Sequence, residues 1–205
     1  MSIWKKEGKK ESYMFSVNGY CDFKIELEST KIDKNIVNNT WHLSGSLYES
    51  VKIEKKLLNC NSAAEAQCLA ENIIKELITK EMVLHTKKLN EISSKLYCIT
   101  KESDPLARPK WIARNTNVYG YTIGKDEDVF ILSYKVKSGE SEDTGKKWLL
   151  SGSIDDICYT EYEVEPDAFK NAEQMIQRTL TKKMIYHLKI CNQYSLALQY
   201  FIPSL

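Results

Sequence analysis

The chain has 205 residues, of which 42% are hydrophobic and 28% charged, so it can bury a proper core and is not an intrinsically disordered sequence. Its net charge of +1 gives no overall attraction to nucleic acid or to an anionic membrane. No apolar run is long enough for a signal peptide or a membrane span, and the six cysteines form no Cys-x-x-Cys pair. We therefore expect a cytoplasmic protein with reduced thiols and no membrane association.

The first hundred residues predict four antiparallel strands followed by one helix. Strands are expected at 13–20, 22–28, 40–48 and 51–58. Within residues 22–28, apolar and charged side chains alternate, which is typical of a strand with one buried face.

Residues 62–100 predict one long helix. Ser62 suits the N-cap position, and Glu65 completes a capping box. The apolar residues, together with one histidine, are spaced alternately four and three apart, which predicts a heptad seam. The seam residues are Ile78, Met82, His85, Leu89, Ile92, Leu96 and Ile99. At about 1.5 Å per residue the helix would extend roughly 55 Å, which is longer than a small sheet can cover.

The second half of the chain repeats this plan after a linker at 101–110. Residues 79–85 recur as 181–187, and residues 41–47 recur as 148–154. Strands are expected at 117–124, 129–136, 147–154 and 158–164, followed by a helix that starts after Pro166 and stops at Pro203. Its seam residues are Leu180, Met184, His187, Cys191, Tyr194, Leu198 and Phe201.

The four tryptophans also fall into two matched pairs. Trp4 is separated from Trp111 by the same number of residues as Trp41 from Trp148. Such self-similarity predicts an α+β protein built by internal duplication of a ββββα unit, with antiparallel sheets, two long helices packed together and a pseudo-twofold relation. The first repeat would span 1–100 and the second 111–205, as separate domains or as one intertwined domain.

The short motifs indicate structural roles. The two Ser-Gly-Ser segments, at 44–46 and 151–153, lack the Gly-x-Ser-x-Gly sequence of a nucleophile elbow. Their glycines have no side chain, which would let a helix or an aromatic ring approach the strand closely. Residues 139–147 share some composition with a phosphate-binding loop but precede a strand, which predicts a hairpin loop. No acid–base pair, metal cluster or cofactor motif is found. We therefore expect a non-enzymatic protein with no catalytic residues, no metal and no cofactor.

His85 and His187 occupy the same seam position in the two predicted helices. Two facing imidazoles could bind a metal ion or respond to pH. A histidine within an apolar stripe is more often a core residue hydrogen-bonded to a carbonyl, which is the role we expect.

Four lysines are the candidate ligand-binding residues. Lys80 and Lys87 lie seven residues apart and hence on one helical face, and Lys182 and Lys189 match them in the second helix. A solvated face is the simplest interpretation of such lysines. The functional alternative is a basic ridge that contacts phosphates.

A tandem arrangement of four strands and a helix resembles the whirly and PUR-type nucleic-acid-binding proteins. The resemblance implies a pseudo-dimeric body that binds single-stranded DNA or RNA. The outward sheet positions, however, are mixed in charge and poor in rings: Lys24, Glu26, His42, Ser44, Ser46, Lys52, Glu54, Ser151, Ser153 and Asp155. The alternative is a protein-interaction module, such as an adaptor, inhibitor or assembly factor, that acts or homo-oligomerises through its long helices.

Overall fold

A computed structural model of the chain describes residues 3–8, 11–33, 36–48, 51–100, 111–123, 130–154 and 157–201. The expected linker at 101–110, the helix stop at Pro203 and the outward position Asp155 lie outside these residues. The chain divides into two compact units. Unit 1 comprises Met1–Lys87 and His187–Leu205, and unit 2 comprises Lys88–Tyr186.

Unit 1 contains a five-stranded antiparallel sheet in which each strand pairs with the next along the chain. Its strands are β1 (Lys5–Lys6), β2 (Ser12–Val17), β3 (Cys21–Asp33), β4 (Ile36–Leu47) and β5 (Val51–Leu58). The alternation expected in β3 is confirmed, because Phe23 and Ile25 are fully buried and Lys24 between them is not. The sheet is thus apolar on one face and polar on the other.

The fifth strand, β1, was not expected from the sequence. Lys5 pairs with Met14 directly after Trp4, whose ring is buried against the Phe15 ring at 5.8 Å between centroids. The indole Nε1 of Trp4 donates a hydrogen bond of 3.1 Å to Glu71. A strand of two lysines has no alternating pattern, so only the buried tryptophan beside it marks its place.

The helix α1 (Ala63–Thr100) has the extent and the cap predicted for it. Ser62 Oγ accepts a hydrogen bond of 3.2 Å from the Glu65 N–H. In return, Glu65 accepts one of 2.9 Å from the N–H of Asn61, one residue earlier than in a standard capping box. With 38 residues α1 is long enough to contribute to both units: its part up to Lys87 belongs to unit 1 and the rest to unit 2.

Unit 2 contains a second five-stranded antiparallel sheet with the same consecutive pairing. Its strands are β6 (Trp111–Asn115), β7 (Val118–Tyr121), β8 (Phe130–Lys135), β9 (Lys147–Ile154) and β10 (Ile157–Glu163). Again the first strand is additional to the four expected, and again it lies at the matched tryptophan. Between β8 and β9 the chain makes a short 3-10 turn at Glu142–Thr144 and enters a strand, so the hairpin-loop prediction for 139–147 is confirmed.

The helix α2 (Ala168–Gln199) completes both cores. Every seam residue predicted on α1 and α2 is buried or half-buried. In unit 1, Ile78 of α1 and Tyr194 of α2 belong to one core cluster. In unit 2, Ile92 and Ile99 of α1 join Leu180 of α2 in another. The prediction that the helices pack against each other along this seam is therefore confirmed.

Candidate interaction surfaces

The outer face of the unit 1 sheet is crossed by ion pairs. Lys55 Nζ lies 2.6 Å from a Glu28 carboxylate oxygen, and His42 Nε2 lies 3.5 Å from the same oxygen. Lys24 pairs with Glu26. The hydrogen bond from Lys55 lowers the pKa of Glu28, which keeps the carboxylate charged beside its lysine. A phosphate backbone would have to displace these carboxylates, so the face is not the basic groove that single-strand binders use.

The unit 2 sheet neutralises its lysines in the same way. Lys135 Nζ lies 2.7 Å from Glu161, and Lys147 Nζ donates a hydrogen bond of 2.9 Å to Glu163. Glu161 also accepts hydrogen bonds of 2.8 Å from the backbone N–H and from the hydroxyl of Ser138. The side-chain bond from Lys135, followed by the two bonds from Ser138, lowers the pKa of Glu161 to about 2.

Ser151, in the second Ser-Gly-Ser segment, has a structural role that the sequence did not indicate. Ser151 Oγ accepts a hydrogen bond of 3.0 Å from the N–H of Glu161. At that point β10 bulges against β9, and Glu161 takes a positive φ of 45°. The serine hydroxyl thus satisfies a backbone donor that the bulge removes from the ladder.

All four lysines singled out from the sequence are exposed on the helices. Lys80, Lys87 and Lys189 belong to unit 1, and Lys182 belongs to unit 2. Within the described ranges none of the four has an ion-pair partner, in contrast to the paired lysines of both sheets. Their positive charge is therefore available to an anionic group on a partner.

Two large apolar side chains lie exposed between the lysines of α1. Val83 is 66% exposed and Leu84 is 45% exposed. Lys80, Val83, Leu84 and Lys87 stand at positions i, i+3, i+4 and i+7, which share one face of a helix. We call these four residues the α1 face.

The second helix repeats this arrangement. Ile185 and Tyr186 are 56% and 40% exposed, and they follow Lys182 at the same spacing as the apolar pair follows the first lysine of the α1 face. Arg178, one turn before Lys182, is also exposed. We call Arg178, Lys182, Ile185 and Tyr186, all within unit 2, the α2 face.

Sequence analysis found the lysines of these faces but not their apolar pairs. The signal was available, because both repeated heptapeptides carry an apolar pair directly before the histidine. Val83 and Leu84 stand between the seam residues Met82 and His85, however, and the seam prediction assigned neither of them to a face. The structure separates them: Met82 is half-buried and His85 buried, while the pair between them faces solvent.

The two seam histidines contact each other within unit 1. Both are buried, as expected, and Nδ1 of His85 lies 2.8 Å from Nδ1 of His187. The edge of the Tyr194 ring packs against His85 at 6.2 Å between centroids. With one hydrogen atom between them, one Nδ1 donates a hydrogen bond and the other accepts it. Two hydrogen atoms there would place two N–H groups against each other.

The unit 2 sheet exposes two rings that sequence analysis missed, Tyr134 on β8 and Tyr162 on β10. Tyr162 stands between Glu161 and Glu163, so its surroundings repel phosphate. In unit 1, an open groove of about 710 Å³ lies beside Tyr200. Its lining combines apolar side chains with one lysine and one glutamate and so has no charge preference: Ile3, Lys5, Glu7, Met14, Phe15, Ser16 and Tyr200.

Comparison of the chain with protein-family models, with curated proteins and with solved structures finds no match. Among the described residues, no three metal-ligating side chains of His, Cys, Asp or Glu come together. Neither of the two described helices has a stretch apolar enough to cross a membrane.

Proposed function

We propose that this chain is a non-enzymatic binding protein that engages a partner protein through the exposed faces of its helices. The observation that carries the proposal is the α1 face, where two exposed aliphatic side chains lie between two lysines that have no ion-pair partner among the described residues. An apolar centre with a polar rim is the usual anatomy of a protein–protein interface. In the α2 face an exposed apolar pair again follows a lysine by three and four residues, which supports a shared use for both faces.

The apolar pair favours a protein over a nucleic acid. Proteins that bind single strands stack bases on aromatic rings in a positively charged groove. Val83 and Leu84 have no ring to stack. On the sheets, Lys55, Lys135 and Lys147 are already paired with glutamates. Aliphatic side chains instead gain free energy when a partner removes them from water.

Single-stranded nucleic acid is the second candidate. It is favoured by the unpaired lysines Lys80, Lys87, Lys182 and Lys189 and by the exposed Tyr186 ring near Lys182. If this candidate is correct, binding must weaken steeply with salt, with a slope near −0.7 for each phosphate contacted. Reversing the charge of Lys80 and Lys87 should then weaken binding to unrelated sequences alike, because phosphate contacts carry no base information.

Photo-crosslinking from the α1 face tests the proposal. A benzophenone amino acid at position 83 of the full chain should give a specific adduct in an extract of the cells that make the protein. The matched control places the same group at Glu54, an exposed position on β5 that pairs with Lys52. A protease-sensitive, nuclease-resistant adduct at 83 alone supports a protein partner. A nuclease-sensitive adduct would make nucleic acid the ligand, and equal yields at both positions would overturn the proposal.

A further inference from the structure

We infer that the partner element that binds the α1 face is an acidic amphipathic helix. This inference rests on the proposed function and adds the chemistry of the partner. Three observations support it: the spacing of the lysines, the position of the apolar pair between them, and the repulsion expected between two copies of the α1 face.

The lysines fix the charge and the spacing of the partner. Lys80 and Lys87 are two helical turns apart, or about 10 Å along the axis. Neither has a carboxylate partner among the residues that the structure describes. Two acidic side chains at positions i and i+7 of a second helix repeat this distance, so both ion pairs can form at once.

The apolar pair fixes what lies between those acids. Val83 and Leu84 are centred between the two lysines, so the matching partner positions are i+3 and i+4. Side chains of leucine size there would cover the pair and place the two ion pairs at the rim. Helix-in-groove recognition uses this i, i+3, i+4, i+7 pattern of anchors.

A second copy of this chain is a poor occupant of the same face. In either orientation, two α1 faces brought together would oppose lysine to lysine around the apolar pair. Like charges at an interface are costly and discriminate against the wrong partner. The face therefore selects against self-association and for a partner of opposite charge.

The face is also ready to bind without rearrangement. It is held on a continuous helix whose opposite side is buried in unit 1, where Ile78 and His85 are among the buried residues. A preformed helix loses little conformational entropy when a partner docks.

Binding of designed helical peptides to the full chain, followed by fluorescence anisotropy, tests the inference. The acidic probe is a lactam-stapled helix with glutamates at i and i+7 and leucines at i+3 and i+4. A second probe has lysines in place of the glutamates, and a third has alanines in place of the leucines. We expect the acidic probe to bind and the other two to bind at least about tenfold more weakly.

Charge reversal on the protein sharpens the test. The double variant Lys80→Glu/Lys87→Glu should bind the acidic probe about tenfold more weakly and should gain affinity for the lysine probe. The control Lys52→Glu, on the exposed side of β5, should leave both affinities unchanged. This exchange of preference is not expected if the substitutions merely disturb the fold.

The outcomes separate the two proposals. Equal binding of all three probes, or no binding of the acidic probe, would overturn the acidic helix. If a protein adduct still formed at position 83, the proposed function would stand without it. A nuclease-sensitive adduct, together with oligonucleotide competition at the α1 face, would overturn both.

Discussion

Replacing Gly45 with alanine should destabilise unit 1 by about 3–5 kcal/mol, which combines backbone strain with overpacking. Gly45 pairs with Phe23 of β3 and has a φ of +142°, a backbone conformation that residues other than glycine rarely adopt. A Cβ at this position would lie 2.6 Å from Phe23 Cα and closer still to the carbonyl oxygen of Asp22. These are backbone atoms of the neighbouring strand, so they cannot move aside without breaking the ladder.

Gly19→Ala is the matched control for this substitution. Gly19 also has a positive φ, at +71°, but open space surrounds its missing Cβ. Its replacement should therefore cost only the strain of the left-handed conformation, about 1 kcal/mol. Equilibrium denaturation in urea gives both values. Similar losses for the two variants would mean that the contact with β3 does not constrain Gly45.

The second large effect is expected for Trp41→Ala, at about 3–5 kcal/mol. Trp41 is only 2% exposed, lies between Leu27 and Leu58 on the neighbouring strands, and packs against the Tyr13 ring at 6.2 Å between centroids. Removing the indole leaves a cavity in the unit 1 core. The free energy of unfolding from urea titration is the measurement.

Trp148, which matches Trp41 in the repeat, is only half-buried in unit 2. It packs against the rings of Tyr119, Tyr134 and Phe169. Although the two tryptophans are matched in sequence, Trp148 is more exposed than Trp41. Trp148→Ala should therefore cost less than Trp41→Ala. A larger loss at Trp148 would contradict this dependence of stability on burial.

The long elements were predictable because their patterns extend over many residues. The seam spacing in 62–100 predicts a helix that the structure places at Ala63–Thr100. Alternation in 22–28 predicts a strand that forms the middle of β3. Both patterns arise because the apolar residues on a buried face recur with the period of the helix or strand. A longer element contains more repeats of that period, so it is easier to recognise in the sequence.

The edge strands were not predictable by the same route. β1 has two residues and β6 has five, of which three are exposed. An edge strand has one neighbour and little buried surface, so its sequence is weakly constrained. Trp4 and Trp111, matched in the repeat, were the remaining signal.

The candidate site was predictable in part. Helical periodicity alone placed the four lysines on exposed faces. It could not show which lysines of the chain are paired, because the Lys55–Glu28 ion pair crosses strands that are distant in sequence. The contact between His85 and His187 likewise depends on how two helices meet, and matched positions only suggested it.

We expect Val83 and Leu84 to serve a partner and not the fold. The decisive measurement is the free energy of unfolding of Val83→Ser/Leu84→Ser. Both side chains are exposed, so we expect a stability within about 0.5 kcal/mol of the unmodified protein. The control Ile78→Ser, at a fully buried seam position, should cost more than about 3 kcal/mol. A loss above about 2 kcal/mol in the double variant would show that the pair packs within the protein, and the α1 face would no longer be a binding surface.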